Sequence, residues 1–272
     1  MKNTAIVRII IWSIVALIFL ALLILFLSNN IINFPILTNN LSWNNKKDIS
    51  HYSVGPGSVT ASIIDHIDID WISGGVDVKY YEGDKIMIDE YDAKNKFIKE
   101  DDKLRYLVKD NRLYIAYSLN SLKLNIFNFN SLNKQLTVLI PVELQELVIE
   151  NVSAKINIEG IKTNILSINT VSGNITTDNI IVNKVITLDN VSSKLNIDCS
   201  NVPDKINIAT VSGNIQLSIP ENEGFTMNYT SVSGHLYSDF QYTFNKKTYT
   251  YKNGGADINI SSVSGDLSIL KK

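Results

Sequence analysis

The 272-residue sequence has few cysteines, histidines and prolines, and each shortage excludes something. The single cysteine, Cys199, rules out an intrachain disulfide and any metal cluster built from several thiolates. We expect it to be a small buried apolar residue. With only five prolines, long strands can run uninterrupted. The net charge of −2 argues against nucleic acid as a partner.

One ten-residue phrase, apolar-x-apolar-x-x-Val-Ser-Gly-x-apolar, occurs seven times in variant forms. The intervals between the middle copies are 19, 20, 20 and 21 residues. A fixed period of this size, made of strand-like alternation, predicts stacked rungs of a β-solenoid. The central residues of the seven copies are Ile72, Val152, Val171, Val191, Val211, Val232 and Val263.

The chain between the first and second copies follows a different pattern. Alternating segments at 85–90, 104–108, 113–117 and 136–140 predict antiparallel strands there. The predicted fold is therefore all-β, a β-solenoid or β-helix-like domain of stacked repeats of about 20 residues with an N-terminal antiparallel part. We place this domain at residues 59–272 and expect a single transmembrane helix before it.

Residues 9–28 form the only long apolar run, and about 19 apolar residues suffice to span the hydrocarbon layer. Lys2 and Arg8 precede it, whereas no positive charge follows it closely. The positive-inside rule therefore predicts that residues 1–8 are cytoplasmic and that the β domain lies outside the plasma membrane. Residues 29–58 are then a spacer.

A cleaved signal peptide is the alternative interpretation of this run. The apolar core of a signal peptide is usually about 7–15 residues long and is followed by small residues at the cleavage site. The run here is longer, and no such small residues follow, which favours an uncleaved signal-anchor. Trp43 in the spacer then contacts either the membrane interface or the domain.

The repeated phrase also suggests where its small residues point. In the fifth copy, Val211, Gly213, Ile215 and Leu217 share one alternation phase, which predicts that all four face inward after a bend. Because Ala and Ser replace Gly in two copies, we expect small volume rather than positive φ to be required. A Gly213→Ala variant should then be nearly tolerated. The seven serines are interpreted as structural, since a nucleophile is needed only once.

Several segments resemble the bacterial putative-adhesin family, a domain family of unknown function. Residues 71–91 (WISGGVDVKYYEGDKIMIDEY) resemble its opening Ser-Gly strand and Gly-Asp hairpin, and residues 136–158 resemble its strand–Pro–strand entry into the repeats. TVSGNI at 170–175 and 210–215 matches its core repeat, and residues 254–270 resemble its C-terminal signature.

This resemblance covers Val59 to Leu270 and implies an exported β-solenoid-like domain. The departures are Ala154 and Ser193 at the glycine position and an Asn-rich loop over 118–133. They make the regularity of the rungs uncertain at those places.

The sequence contains no recognisable catalytic, cofactor-binding or metal-binding motif. His66, Asp68 and Asp70 share a strand face, where a solvated surface is favoured over a cation site. We therefore expect a non-catalytic envelope module, without cofactor, that binds or senses a partner protein or wall polymer. A carbohydrate-active β-helix enzyme is the alternative. The ligand and the oligomeric state are not indicated.

A hairpin before the last copy is the one candidate for an interaction site. Phe240, Tyr242 and Phe244 alternate on one strand, and Tyr249 and Tyr251 alternate on the return strand. This aromatic face either packs on the flank of the solenoid or contacts a partner. The first interpretation is favoured, because exposing several aromatic rings is costly in a monomer.

Overall fold

The alternating segments form β-strands in a computed structural model, which describes residues 51–94, 96–118, 133–221, 224–245 and 248–272. Two short 3-10 helices, Ala61–Ile63 and Glu100–Asp102, accompany the strands. The described residues form twenty strands: β1 Ser53–Val54, β2 Gly57–Thr60, β3 His66–Tyr80, β4 Lys85–Asp92, β5 Arg105–Lys109, β6 Arg112–Ala116, β7 Lys134–Ile140, β8 Leu144–Glu159, β9 Lys162–Ser172, β10 Ile175–Asp178, β11 Ile181–Ser192, β12 Leu195–Asp198, β13 Lys205–Ser212, β14 Ile215–Ile219, β15 Gly224–Ser233, β16 Leu236–Ser238, β17 Tyr242–Asn245, β18 Thr248–Lys252, β19 Ala256–Ser264 and β20 Leu267–Lys271.

Each copy of the repeated phrase forms one rung, with one strand segment before a corner and one after it. The first segments pair in parallel along β9, β11 and β13, and the second segments pair in parallel along β10, β12 and β14. The register joins equivalent positions, for example Leu166, Ile186 and Ile206. The predicted stack of about 20-residue rungs is confirmed.

The last copy in the chain is not the last rung of the stack. β19 pairs in parallel with β13 on one side and with β15 on the other, and β20 likewise lies between β14 and β16. The seventh copy therefore lies between the fifth and the sixth. The 31-residue interval between Val232 and Val263 contains the aromatic hairpin and supplies the chain needed for this return.

The N-terminal part is only partly antiparallel, which corrects the expectation from the sequence. β6 and β7 pair in parallel with the two halves of β3, so they form an additional rung before the first copy. β4 and β5 then flank this rung in antiparallel orientation, and β2 and β1 pair with them. Local alternation is identical in parallel and antiparallel strands, so it does not distinguish the two. Most of the Asn-rich insertion between β6 and β7 lies outside the described residues.

The core is a set of aliphatic columns, one residue per rung, on the inward faces of the stacked strands. Cys199 is fully buried among them, which confirms its expected role, and burial raises the pKa of its thiol to about 12. Such a thiol is unreactive at neutral pH. One column consists of Ile67, Leu147, Leu166, Ile186, Ile206, Ile258 and Met227, all at most 1% exposed.

The predicted membrane anchor at 9–28 and the cytoplasmic segment 1–8 lie outside the described residues, as does most of the spacer. Within the described part of the chain, no helix is both long enough and apolar enough to cross a membrane.

The corners differ from the prediction in two respects. The valines of the phrase point outward: Val152 is 49% exposed and Val171 is 41% exposed, so the inward prediction is wrong at the valine position, whereas Ile215 and Leu217 are buried as predicted. The inward alternation ends one residue before the valine, for example at the buried Thr210, and resumes at Ile215. The corner thus consumes four residues, which period-2 counting does not anticipate.

Four of the five corner glycines have positive φ, which was also not expected, and Gly234 is the exception. Gly213 has φ 136°, and a Cβ atom there would lie 1.8 Å from the carbonyl oxygen of Ser193 in the preceding rung. A Gly213→Ala change is therefore not tolerated, because both the backbone conformation and the close approach exclude a side chain. Gly74, Gly173 and Gly265 share the positive φ and the close approach to a carbonyl.

Ala154 and Ser193 are accommodated by a second kind of corner, and the rungs remain regular there. Neither has positive φ. Both lie three residues after a buried asparagine, Asn151 or Asn190, whereas Thr170 and Thr210 precede Gly173 and Gly213. The Asn151 side chain accepts a hydrogen bond from the Ala154 amide at 2.8 Å and donates one to its carbonyl at 2.8 Å. Asparagine corners and threonine–glycine corners therefore alternate from the second to the fifth copy.

Candidate interaction surface

The aromatic hairpin β17–β18 lies at the C-terminal end of the stack. β18 pairs antiparallel with the first half of β15, from Gly224 to Asn228, and β17 pairs with β18. The sixth copy, which is the terminal rung, therefore carries the hairpin along part of its outer edge.

The inner half of the hairpin is packed into the core. Phe240 and Tyr251 are 2% and 5% exposed, and both rings contact Phe225 with centroid distances of 5.2 and 5.3 Å. The Tyr251 hydroxyl donates a 2.6 Å hydrogen bond to Glu221. The packing interpretation is confirmed for these two residues.

The outer half of the hairpin leaves an aromatic patch exposed. Tyr242 is 39% exposed and Phe244 is 58% exposed, and both contact the half-buried Tyr249 with centroid distances of 4.9 and 4.6 Å. We call these three residues the hairpin patch. Lys246 and Lys247, which the sequence places beside it, lie outside the described residues.

The candidate cation site does not form. Asp68 is paired with Arg112 at 2.6 Å, and the same guanidinium lies 3.1 Å from Glu146 on the next rung. His66 bonds to the neighbouring Asp65 rather than to the two aspartates. Over the described ranges, no group of three or more His, Cys, Asp or Glu side chains is arranged to hold a metal.

The repeated serines are part of the stacking. The Ser153 hydroxyl donates to the Ile72 carbonyl at 3.1 Å, and the Ser172 hydroxyl donates to the Val152 carbonyl at 3.3 Å. Each bond links a corner to the preceding rung. This supports the structural interpretation of the serines.

Asp189 is the one carboxyl of the regular stack whose pKa is strongly raised. It lies on the outer face of β11 but is only 8% exposed, and burial raises its pKa to about 6. Its register neighbours are Asn169 and Ala209, so no carboxylate lies beside it on an adjacent rung. The nearest acidic position in this column is Glu150, two rungs away.

A buried charge cluster at the N-terminal end was missed in the sequence. Lys134 occupies the corner position that is glycine in the neighbouring first copy, and its side chain is fully buried. Its Nζ atom lies 2.6 Å from Oε2 of Glu90, which is itself buried. The available signal was a pair of acidic residues, Glu90 and Asp92, that continue the inward phase of Ile86 and Ile88 in β4.

The architecture defines a class: a parallel β-solenoid with antiparallel strands on its terminal rungs. The profile of the Toastrack DUF4097 family matches residues 142–270, from the start of the second copy through the seventh. These residues therefore form a Toastrack DUF4097 domain, and the resemblance to the putative-adhesin family is confirmed. No curated protein matches the chain.

Seven solved chains are similar to this one, among them the following three. A putative cell adhesion protein from Clostridium sporogenes is 14% identical, with 81% of this chain and 100% of that chain covered and a TM-score of 0.46. A putative adhesin from Bacteroides fragilis is 11% identical over 80% and 97%, with a TM-score of 0.41. A putative lipid binding protein from Parabacteroides distasonis is 14% identical over 80% and 97%, with a TM-score of 0.34.

Proposed function

We propose that this protein is a non-catalytic module of the bacterial cell envelope, anchored in the plasma membrane through residues 9–28, whose β-solenoid binds a partner protein or wall polymer outside the cell. The observation that carries the proposal is the hairpin patch. Tyr242 and Phe244 are exposed, whereas Phe240 and Tyr251 of the same segment are buried.

The chemistry of the patch suits a binding surface. Aromatic side chains supply large contact areas and are enriched in the cores of protein interfaces. All four residues of β17 are exposed, and none of them is charged. Among the described strands, β17 pairs with β18 alone, which leaves its other edge available to a partner.

Affinity capture from solubilised envelopes tests this proposal. The full-length protein in detergent should retain a partner or wall fragment, and Tyr242→Ser with Phe244→Ser should lose it at an unchanged melting temperature. Tyr80→Ser with Tyr91→Ser is the matched control, since these residues are 47% and 53% exposed elsewhere. Equal capture by both double variants contradicts a role for the patch.

The location is tested separately on intact protoplasts. Added protease should digest the β domain while a cytoplasmic marker stays whole, and the protein should retain the apolar run after maturation. A protected domain, or a mature chain that starts just after residue 28, contradicts the anchor.

The alternative is a carbohydrate-active enzyme, and Asp189 is the observation in its favour. A general acid needs a raised pKa, and two rung spacings separate Asp189 from Glu150 by about 10 Å, near the upper limit for inverting glycosidases. Release of sugar from envelope polysaccharide, abolished by Asp189→Asn, would support this alternative over the binding module.

A further inference from the structure

The buried cluster around Lys134 and Glu90 holds an amine and a carboxyl in contact without solvent. The Nζ and Oε2 atoms lie 2.6 Å apart, and the two side chains are 0% and 2% exposed. Trp71 and Tyr117 present ring faces to the amine, with 5.0 and 4.4 Å between Nζ and the ring centroids. The cluster joins β4 to β7, which are neighbouring strands of the N-terminal end.

Two backbone carbonyls hold the Lys134 amine in place beside the carboxyl. Nζ donates to the carbonyl oxygens of Asp102 and Tyr117 at 2.6 and 2.5 Å. Burial lowers the pKa of Lys134, and the adjacent Glu90 opposes this shift. The two carbonyls take two of its N–H bonds. The third direction of the amine faces Oε2 of Glu90 at 2.6 Å, so a proton can pass from Nζ to the carboxyl across this contact.

The other carboxyl oxygen of Glu90 is held by a backbone amide. Oε1 of Glu90 accepts a 2.7 Å hydrogen bond from the buried Leu104 amide. A backbone N–H in this position stabilises negative charge that develops on the oxygen during acyl transfer. Asp92 lies on the same inward face and opposite Lys134 in register, and its Oδ2 has no hydrogen-bond partner within the described structure. The strand register thus brings a second carboxyl beside Lys134.

We propose that Lys134 and Glu90 condense into an intramolecular amide cross-link between β7 and β4. A proton passes from Nζ to the Glu90 carboxylate within the pair, the Nζ lone pair then attacks Cδ, and a C–N bond forms as the carboxyl hydroxyl leaves. That hydroxyl takes the amine proton through Asp92 and departs as water, so an amine and a carboxylic acid become one amide and one water. No oxidant, metal or energy source is needed. The product closes residues 90–134 into a covalent ring.

Mass spectrometry of the full-length protein tests the cross-link without any variant. Peptides that contain Glu90 and Lys134 should be recovered joined, with a summed mass lower by one water, about 18 Da. Trypsin should also fail to cleave after Lys134. Separate, unmodified peptides from folded protein would overturn the proposal and leave a charged ion pair in its place, as would a lost water located elsewhere.

Two variants sharpen the result. Lys134→Arg keeps the charge but removes the nucleophile, so the joined peptide should disappear even if the variant folds poorly. Asp92→Asn keeps both reacting groups and should slow the appearance of the joined peptide after refolding at least tenfold. Unchanged joining in Lys134→Arg would show that another amine forms the link and would overturn the assignment.

Discussion

The two ends of the stack cover their terminal rungs in different ways. At the N-terminal end, β4 and β5 cover the edge of the additional rung, and the inward space is filled by the Lys134–Glu90 pair. At the C-terminal end, β18 covers only the first half of β15, and aromatic rings fill the inward space. No described strand covers the outer edge of β16.

An open solenoid end exposes unpaired backbone groups and an apolar cross-section, so terminal rungs need a cover. The end with complete strand cover carries the buried charges, because a dry, enclosed site is a place where a fully paired lysine can be held. The partly covered end exposes Phe244, Tyr237 and Val232, which are 58%, 56% and 79% exposed. The two ends therefore differ in how much strand edge and apolar surface they expose, and the C-terminal end is the one suited to a partner.

Lys134→Met should give the largest effect, since it leaves the carboxylate of Glu90 buried without its cation. We expect the free energy of unfolding in urea to fall by about 3–5 kcal/mol. Lys79→Met is the control, because the Lys79–Glu159 pair is half-exposed, and it should change stability by less than about 0.5 kcal/mol. A loss no larger than the control would mean that the buried pair does not hold the N-terminal end together.

Phe240→Ala tests the opposite end. Removing a ring that is 2% exposed should cost about 3 kcal/mol by creating a cavity beside Phe225. Phe244→Ala, in the same hairpin, should stay within about 0.5 kcal/mol by thermal or urea unfolding. Similar losses from both changes would show that the hairpin patch is part of the core rather than a surface.

Gly213→Ala tests whether a rung in the middle of the stack tolerates a side chain at its corner glycine. The positive φ and the nearby Ser193 carbonyl predict a loss of about 2 kcal/mol in urea unfolding. Ser193→Ala is the matched change at the equivalent position with ordinary φ, and it should be nearly neutral. An equally stable Gly213→Ala protein would restore the interpretation that only volume matters at this position.

Asp189→Asn should give the smallest change in stability, and this change does not depend on either end of the stack. The raised pKa of about 6 means that the folded state binds the proton more tightly than the unfolded state between about pH 4 and 6. Stability is thus lost as pH rises through this window. The variant should be more stable by about 1–2 kcal/mol at pH 7 and equal near pH 4. Parallel stability curves for the two proteins would contradict this.

The regular part of the fold was predictable from the chain because its signal repeats. Seven copies, five of them at nearly constant spacing, can only bury their apolar columns by stacking on one another. The binding candidate was also visible, since Phe240 to Tyr251 alternate aromatic residues around a turn. Which of those rings are buried was not visible, because Phe240 and Phe244 have the same phase and the same chemistry.

The sequence alone determines the strands and the inward aliphatic columns through local alternation, which depends on residues a few positions apart. It determines the rung length through the spacing of the copies. Long-range pairing decides the rest. The place of the seventh copy between the fifth and sixth, and the parallel orientation of β6 and β7, depend on which edges meet. The contact of Lys134 with Glu90 joins residues 44 positions apart in the chain, and only the folded backbone brings them into one dry site.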